Sequence, residues 1–166
     1  MAGKILKELK QTVPFSTIEE EAVLNIVRTA DVISQRNSAL LKQHNLSATQ
    51  YNVLRILRGA GSIGVSCKEI ASRMVTPDPD VTRLMDRLEK RGLLTRDRAK
   101  EDRRFITIRL TAEGLALTNA LDGPVKRNIR NSLKHVPKEK LEQLIDTLEL
   151  IRSDDEEGTN ACPEAS

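Results

Sequence analysis

Residues Thr76 to Thr111, TPDPDVTRLMDRLEKRGLLTRDRAKEDRRFITIRLT, decide how the rest of the chain is read. Asp78-Pro79 is a helix-starting pair, because aspartate caps free N–H groups and proline tolerates the first helical position. Val81, Leu84, Met85 and Leu88 follow at the i, i+3, i+4, i+7 spacing of one buried stripe. Gly92 supplies the stop, since a residue tolerant of left-handed φ ends a helix sharply. The opposite face carries Arg83, Asp86 and Lys90, flanked by Thr82 and Arg87. A short helix anchored on one side and mostly cationic on the other suits a DNA groove.

Leu93 to Arg96 and Phe105 to Leu110 read as two strands, the second alternating Phe105, Thr107, Arg109 against Ile106, Ile108, Leu110. Between them Asp97 to Arg104 forms a polar loop with four cations and three carboxylates. Helix, strand, charged loop, strand is the order of a winged helix, whose hairpin tip reaches a minor groove beside the helix in the major groove. A charge run alone is more often a solvated face. The ordered combination of capped helix, glycine stop and arginine-tipped hairpin outweighs that reading.

Outward from this stretch, Ser47-x-x-Gln50 and Ser66-x-x-Glu69 are capping boxes. They open short helices with the apolar sets Tyr51, Leu54, Leu57 and Ile70, Ala71, Met74, separated by Gly59, Gly61 and Gly64 with room for a strand near Val65. The helices Cys67–Met74 and Pro79–Arg91 then make a helix-turn-helix. Upstream, Ser16-x-x-Glu19 starts a long helix over most of Thr17 to His44, with the stripe Ile18, Ala22, Ile26, Ala30, Ile33 and then Leu40 and Leu41. A shorter segment from Met1 to Gln11 puts Ile5, Leu6 and Leu9 on one face, too little for stable membrane anchoring. Downstream, Thr111 caps a helix through Leu115, Leu117 and Leu121, and a kink or break is expected at Asp122-Gly123-Pro124. Val125, Ile129 and Leu133 resume that stripe. Pro137 starts a last helix through Leu141, Leu144, Ile145, Leu148 and Ile151, ending near Ser153.

The expected fold is therefore mainly α, a winged helix-turn-helix lobe flanked by N- and C-terminal dimerisation helices. The segments are 1–45, N-terminal dimerisation helices; 46–111, DNA-binding lobe; 112–153, C-terminal dimerisation helices; and 154–166, a disordered acidic tail. The outer helices carry apolar stripes with no second layer in the sequence to cover them, so a homodimer is expected.

Composition agrees. The 166 residues are 39% hydrophobic and only 2% aromatic, so leucine, isoleucine and valine must fill the core. The tail from Asp154 holds five carboxylates and no cation, so Met1 to Ser153 carries +8 against its −5 within a net +3. A basic body fits a polyanion such as double-stranded DNA, because lysine and arginine gain by releasing condensed counterions. No apolar run reaches membrane-spanning length and no secretory core stands near the start, so a cytoplasmic, non-membrane protein is expected. Cys67 and Cys162 are too few for a disulfide framework and too isolated for zinc. Cys67, in a first helical turn, reads as a small buried hydrophobe. His44, near a helix C-terminus, reads as a charge–dipole cap or a hinge residue. His44 and His135 lie near no nucleophile motif or phosphate loop, so neither enzyme activity, cofactor nor metal is expected.

Thr82, Arg83, Arg87 and Lys90 form the expected groove-facing set, with Asp86 holding an arginine by an ion pair. Arg104, then Arg103, are the expected minor-groove contacts, since a narrow groove attracts an arginine head. Two rivals stand beside the DNA reading: a winged-helix protein-interaction module without specific DNA binding, and a small enzyme or ligand-storage protein.

The run Val81-Thr82-Arg83-Leu84-Met85-Asp86-Arg87-Leu88-Glu89-Lys90-Arg91-Gly92-Leu93, then Asp102-Arg103-Arg104 and Leu110-Thr111-Ala112-Glu113-Gly114, resembles the multiple-antibiotic-resistance regulator (MarR) family. Leu46-Ser47-Ala48-Thr49-Gln50-Tyr51-Asn52-Val53-Leu54 matches the family's second-helix pattern. The resemblance is dense from about Leu46 to Gly114 and loose outside it. It implies a homodimer joined through terminal helices, in which Asp102 supports the wing arginine. It also implies a repressor of a pseudo-palindromic operator, released by a small aromatic or anionic ligand between lobe and dimer helices, with Tyr51 and Arg55 placed to line that pocket. The chain departs from the family at Asp78-Pro79-Asp80, where small hydroxyl or basic residues are more usual. Two carboxylates there repel phosphate unless Asp78 is spent on capping and Asp80 on an internal pair.

Overall fold

The computed structural model describes residues 4–98 and 106–157, which divide between two compact units, Met1–Ile129 and Arg130–Ser166. The elements in order are α1 (Lys4–Glu8), α2 (Ile18–Lys42), α3 (Ala48–Ala60), α4 (Cys67–Arg73), α5 (Val81–Lys90), β1 (Leu94–Arg98), β2 (Ile106–Leu110), α6 (Ala112–Leu133) and α7 (Lys138–Glu157).

Side chains close the helix starts. Ser47 Oγ accepts from Gln50 N at 3.0 Å while Gln50 Oε1 accepts from Ser47 N at 2.9 Å, a complete capping box. At Ser66 only the first half forms, because the Glu69 carboxylate is paired with Arg73 instead. The start of α2 differs from expectation by one residue. Thr17 is its cap, accepting from Glu20 N at 3.2 Å, and Ser16 instead donates to the Glu20 carboxylate. The α5 start differs too: Asp80 is the cap and Val81 the first helical residue, so Asp78-Pro79 forms the turn before the helix.

The end of α5 is fixed by glycine. Gly92 adopts φ +70°, its N–H donates to Glu89 O at 2.8 Å and that of Leu93 to Leu88 O at 3.0 Å. This paired closure turns the chain into β1 and brings the buried Leu93 and Leu88 together. β1 and β2 pair antiparallel from Leu94↔Leu110 to Arg98↔Ile106. β1 thus runs two residues beyond the expected Arg96, because Asp97 and Arg98 find ladder partners in Thr107 and Ile106. The expected short strand near Val65 is a single bridge to Ile108, with both backbone bonds formed at 3.1 and 2.9 Å.

The core of the first unit is built from Leu54 and Leu57 of α3, Ile70 of α4, Met85 and Leu88 of α5, and Leu93, Leu94 and Ile108 of the hairpin. Leu41 of α2 and Leu121 and Val125 of α6 belong to the same cluster. Gly114 makes the α6 contact possible, since a Cβ there would lie 2.0 Å from Leu93 O. Of the kink or break expected at Asp122-Gly123-Pro124, the break does not occur; α6 continues through Pro124. Buried Leu121 and Val125 on either side of the proline hold both halves on the core, offsetting the lost backbone bond.

Apolar side chains on α2 remain in solvent, with Ile18 78%, Val23 58% and Val27 60% exposed. In the second unit, Leu144, Ile145, Leu150 and Ile151 of α7 are also exposed. α7 extends to Glu157, so the first four residues of the expected disordered tail are helical, and 158–166 lie outside the described residues.

Candidate nucleic-acid interface

The site begins with the division of α5 into two faces. Leu84, Met85 and Leu88 are buried, with Met85 and Leu88 fully inaccessible. Thr82, Arg83, Arg87 and Lys90 are all exposed on the helix that those three residues anchor. The four expected groove-facing residues are therefore brought together on one described surface.

The carboxylates beside them are engaged. Asp80 Oδ1 accepts from Arg83 N at 3.2 Å, and its Oδ2 lies 3.1 Å from Arg83 Nε. Asp78 Oδ1 accepts from Asp80 N at 2.8 Å. Asp86 binds an arginine, as expected, and the partner is Arg96 of β1. Arg96 Nη1 lies 2.6 Å from Asp86 and 3.4 Å from Glu89, while Nη2 donates to Thr82 O at 3.3 Å. One guanidinium thus spans two turns of α5 and fastens them to the hairpin. Arg109 of β2 pairs with Asp97 across the ladder and donates through Nε to Ser62 O at 2.8 Å, tying the hairpin to the loop after α3. The wing residues Asp102, Arg103 and Arg104 lie outside the described residues.

Tyr51 and Arg55 of α3 do line a common cleft, of about 210 Å³, with Asn37, Leu41, Val125 and Ile129 among its walls. Arg55 is exposed. The Tyr51 hydroxyl donates to Asp122 Oδ1 at 3.2 Å, and Arg58 grips the same carboxylate through Nη1 at 2.9 Å and Nη2 at 3.1 Å. Arg58 Nη1 also donates to Asn119 at 3.0 Å. Hydrogen bonding from Arg58 holds the Asp122 carboxyl below the ordinary value of 3.8. Burial, reinforced by the adjacent Asp122 charge, pushes the Tyr51 phenol above 10.0. This network joins α3 to α6, and sequence reasoning missed it. Asp122 was legible only as part of a helix-breaking tripeptide, and its partner Arg58 stands 64 positions away.

Cys67 is half-buried against the core, less enclosed than expected. His44 follows α2, whose cap is Gln43, and its carbonyl accepts from Arg91 Nη2 at 3.1 Å. The backbone there, with Asn45 at φ +53°, carries the contact; the imidazole itself is exposed. Among the described residues no group of three or more histidine, cysteine or acidic side chains is placed to hold a metal. No helix among them is long and apolar enough to cross a membrane.

Known proteins are similar to this chain in sequence and in fold. The MarR family model matches residues 46–106, from just before α3 to the first residue of β2. The homoprotocatechuate degradative operon repressor of Escherichia coli is 33% identical over 110 residues, covering 66% of this chain and 73% of the relative. A solved MarR transcription factor from Planctomyces limnophilus is 39% identical, with a TM-score of 0.65 over 82% of this chain and 98% of that one. CouR from Rhodococcus jostii RHA1, solved with p-coumaroyl-CoA, is 25% identical, with a TM-score of 0.68 over 82% and 95% of the two chains. With an exposed cationic helix seated on a buried stripe and clamped to a two-stranded wing, and with relatives of this kind spanning most of its length, the chain belongs to the MarR family of winged-helix DNA-binding transcriptional regulators.

Proposed function

We propose that the chain acts in the cytoplasm as a homodimeric repressor that binds a pseudo-palindromic operator and leaves it when a small aromatic or anionic ligand binds. It is a binding protein in this reading, with no reaction to catalyse. The observation that carries it is the surface of α5, where Thr82, Arg83, Arg87 and Lys90 stand exposed over buried Leu84, Met85 and Leu88. That helix enters the major groove, and Arg104, supported by Asp102 and assisted by Arg103, enters the adjacent minor groove. The exposed apolar residues of α2 and α7 supply the dimer contact, so residues 1–45 and 112–153 act as dimerisation segments around the 46–111 lobe.

The ligand site is the cleft lined by Tyr51 and Arg55. Its apolar walls suit a ring, and Arg55 offers a cation to a carboxylate. The naming of one relative for an aromatic degradative operon, and the p-coumaroyl-CoA held by another, support that class.

Selecting bound duplexes from a random pool tests the core of the proposal. The expected product is a two-fold symmetric site with half-site centres about 34–36 Å apart, one helical turn. Adding aromatic carboxylates to that complex should release DNA from the wild type and not from Arg55→Ala. Recovery of no preferred site, or of a site without symmetry, would overturn the dimeric-repressor reading.

A further inference from the structure

At the start of α5, three residues are linked in series. The Asp78 carboxylate holds the backbone N–H of Asp80 at 2.8 Å. One oxygen of Asp80 takes the Arg83 backbone N–H at 3.2 Å, and the other lies 3.1 Å from Arg83 Nε. Asp80 thus caps the helix and holds the side chain of the residue three positions on with the same carboxylate.

The edge of the guanidinium that Asp80 occupies decides what Arg83 presents. Nε is the guanidinium nitrogen nearest the carboxylate, and among the described residues no hydrogen bond is made from Nη1 or Nη2. The Arg83 side chain is 79% exposed, so its two terminal nitrogens are accessible to a ligand as a fork. A fork of two parallel N–H donors matches O6 and N7 of guanine in the major groove, and no other base offers two acceptors there. A phosphate can take the same fork but carries no sequence information, so a base preference separates the two contacts.

An isolated exposed pair between two long side chains contributes little, because both must be ordered to make it. Asp80 differs from that case. Its carboxylate is already fixed by the cap and its backbone by Asp78, so most of the ordering is complete before Arg83 arrives. We propose that Asp80 is a positioning residue that aims Arg83 at one guanine in each half-site, making the Asp78-Pro79-Asp80 turn a determinant of sequence specificity. The two carboxylates, which as free charges would repel phosphate, then lower binding to random DNA and leave the arginine's fork intact. The proposal rests on α5 lying in the major groove.

The test uses the full chain and the sites it selects from a random duplex pool. Wild type should enrich a guanine at one position per half-site and favour it over other bases by about tenfold or more. Asp80→Asn keeps an oxygen for the cap and removes the charge that holds Nε. It should lose most of the guanine preference while binding shuffled duplex at least as tightly as wild type. Asp80→Ser, also able to cap, should behave alike, with helix content checked by circular dichroism. Arg83→Lys should lose the preference while keeping the dependence of affinity on salt, because its charge remains. An intact guanine preference in either Asp80 variant overturns the proposal, as does a parallel loss of affinity for shuffled duplex. Failure of the wild type to select any site would instead sink the DNA placement of α5 beneath it, so the two failures are distinguishable.

Discussion

α2 and α5 are both amphipathic helices, and they resolve their apolar faces in opposite ways. α5 has 10 residues and buries Leu84, Met85 and Leu88 within its own unit, leaving a polar surface. α2 has 25 residues and buries only Leu41, near its C-terminal end, while Ile18, Val23 and Val27 stay in water. The difference separates two uses of the same sequence pattern. In α5 the stripe is an anchor, and the proposed DNA contacts lie on the face opposite to it. In the proposed dimer the exposed apolar side chains of α2 are themselves the contact surface, because exposed apolar area gains free energy only when a second surface covers it.

The sharpest test of that contrast removes a buried side chain from one helix and exposed ones from the other. Leu88→Ala leaves a cavity in the core shared by α3, α4 and the hairpin, and should cost about 2–5 kcal/mol in urea unfolding. Val23→Asp with Val27→Asp should leave helix content unchanged but weaken self-association by about 100-fold or more, read by sedimentation. If the α2 pair instead unfolded the chain, or left a dimer intact, the face bearing Val23 and Val27 would not be the interface.

Arg96 sharpens the comparison at a smaller scale, since α5 needs a clamp to hold its outer face at a fixed angle to the wing. Arg96→Met keeps the aliphatic stem and loses the bonds to Asp86, Glu89 and Thr82. With its side chain only 24% exposed, the pairing should be worth about 1–2 kcal/mol of stability. Operator affinity should fall while its salt dependence stays that of wild type, because the guanidinium faces α5 and takes no phosphate. A salt slope lowered by about one unit would show that Arg96 contacts DNA directly.

Local chemistry was the part of this fold written plainly in the sequence. Ser47 and Ser66 cap the helices that their spacing to Gln50 and Glu69 marks, and Gly92 ends α5 because its φ of +70° suits a residue without Cβ. The exposed set Thr82, Arg83, Arg87 and Lys90 followed from the position of the buried stripe alone. Where two local readings competed, the pattern was ambiguous. Ser16-x-x-Glu19 and Thr17-x-x-Glu20 both satisfy the capping motif, and only the fold selects Thr17. Asp97 and Arg98 lack the apolar alternation that marks a strand, so β1 was legible only to Arg96; pairing with β2 extends it. Pro124 left a kink or a break open on paper, because the burial of Leu121 and Val125 is a tertiary fact. The Arg58–Asp122–Tyr51 network had no sequence signal, as nothing in a linear pattern brings α3 beside the middle of α6.

That network yields the smallest and most specific expectation. Arg58 depresses the Asp122 pKa, so the folded state gains from the ionised carboxylate at any pH above its ordinary value of 3.8. The gain is lost as pH falls below 3.8 toward the depressed folded value, where the carboxyl is protonated in both states. The Tyr51 phenol, raised above 10.0, acts at the other end: its contribution is full below 10.0 and fades as pH rises through the folded value. Both side chains of the ion pair keep access to water, 26% for Arg58 and 29% for Asp122, so screening limits the gain to about 1 kcal/mol. Asp122→Asn retains an oxygen that can accept from Arg58 or Tyr51 and removes the titration. At neutral pH it should therefore be less stable than wild type by about 1 kcal/mol. The gap should narrow as unfolding is repeated at successively lower pH below 3.8, because wild type loses what the variant never had. Tyr51→Phe removes a weaker cause of the depressed Asp122 pKa than the Arg58 bond, so its gap from wild type should narrow in acid by less than that of Asp122→Asn. A gap between wild type and Asp122→Asn that stayed constant with pH would mean that the carboxylate's charge contributes nothing to holding α3 on α6. The contact would then be one of packing, and a ligand in the adjoining cleft could not act on it by displacing the Tyr51 hydroxyl from Asp122.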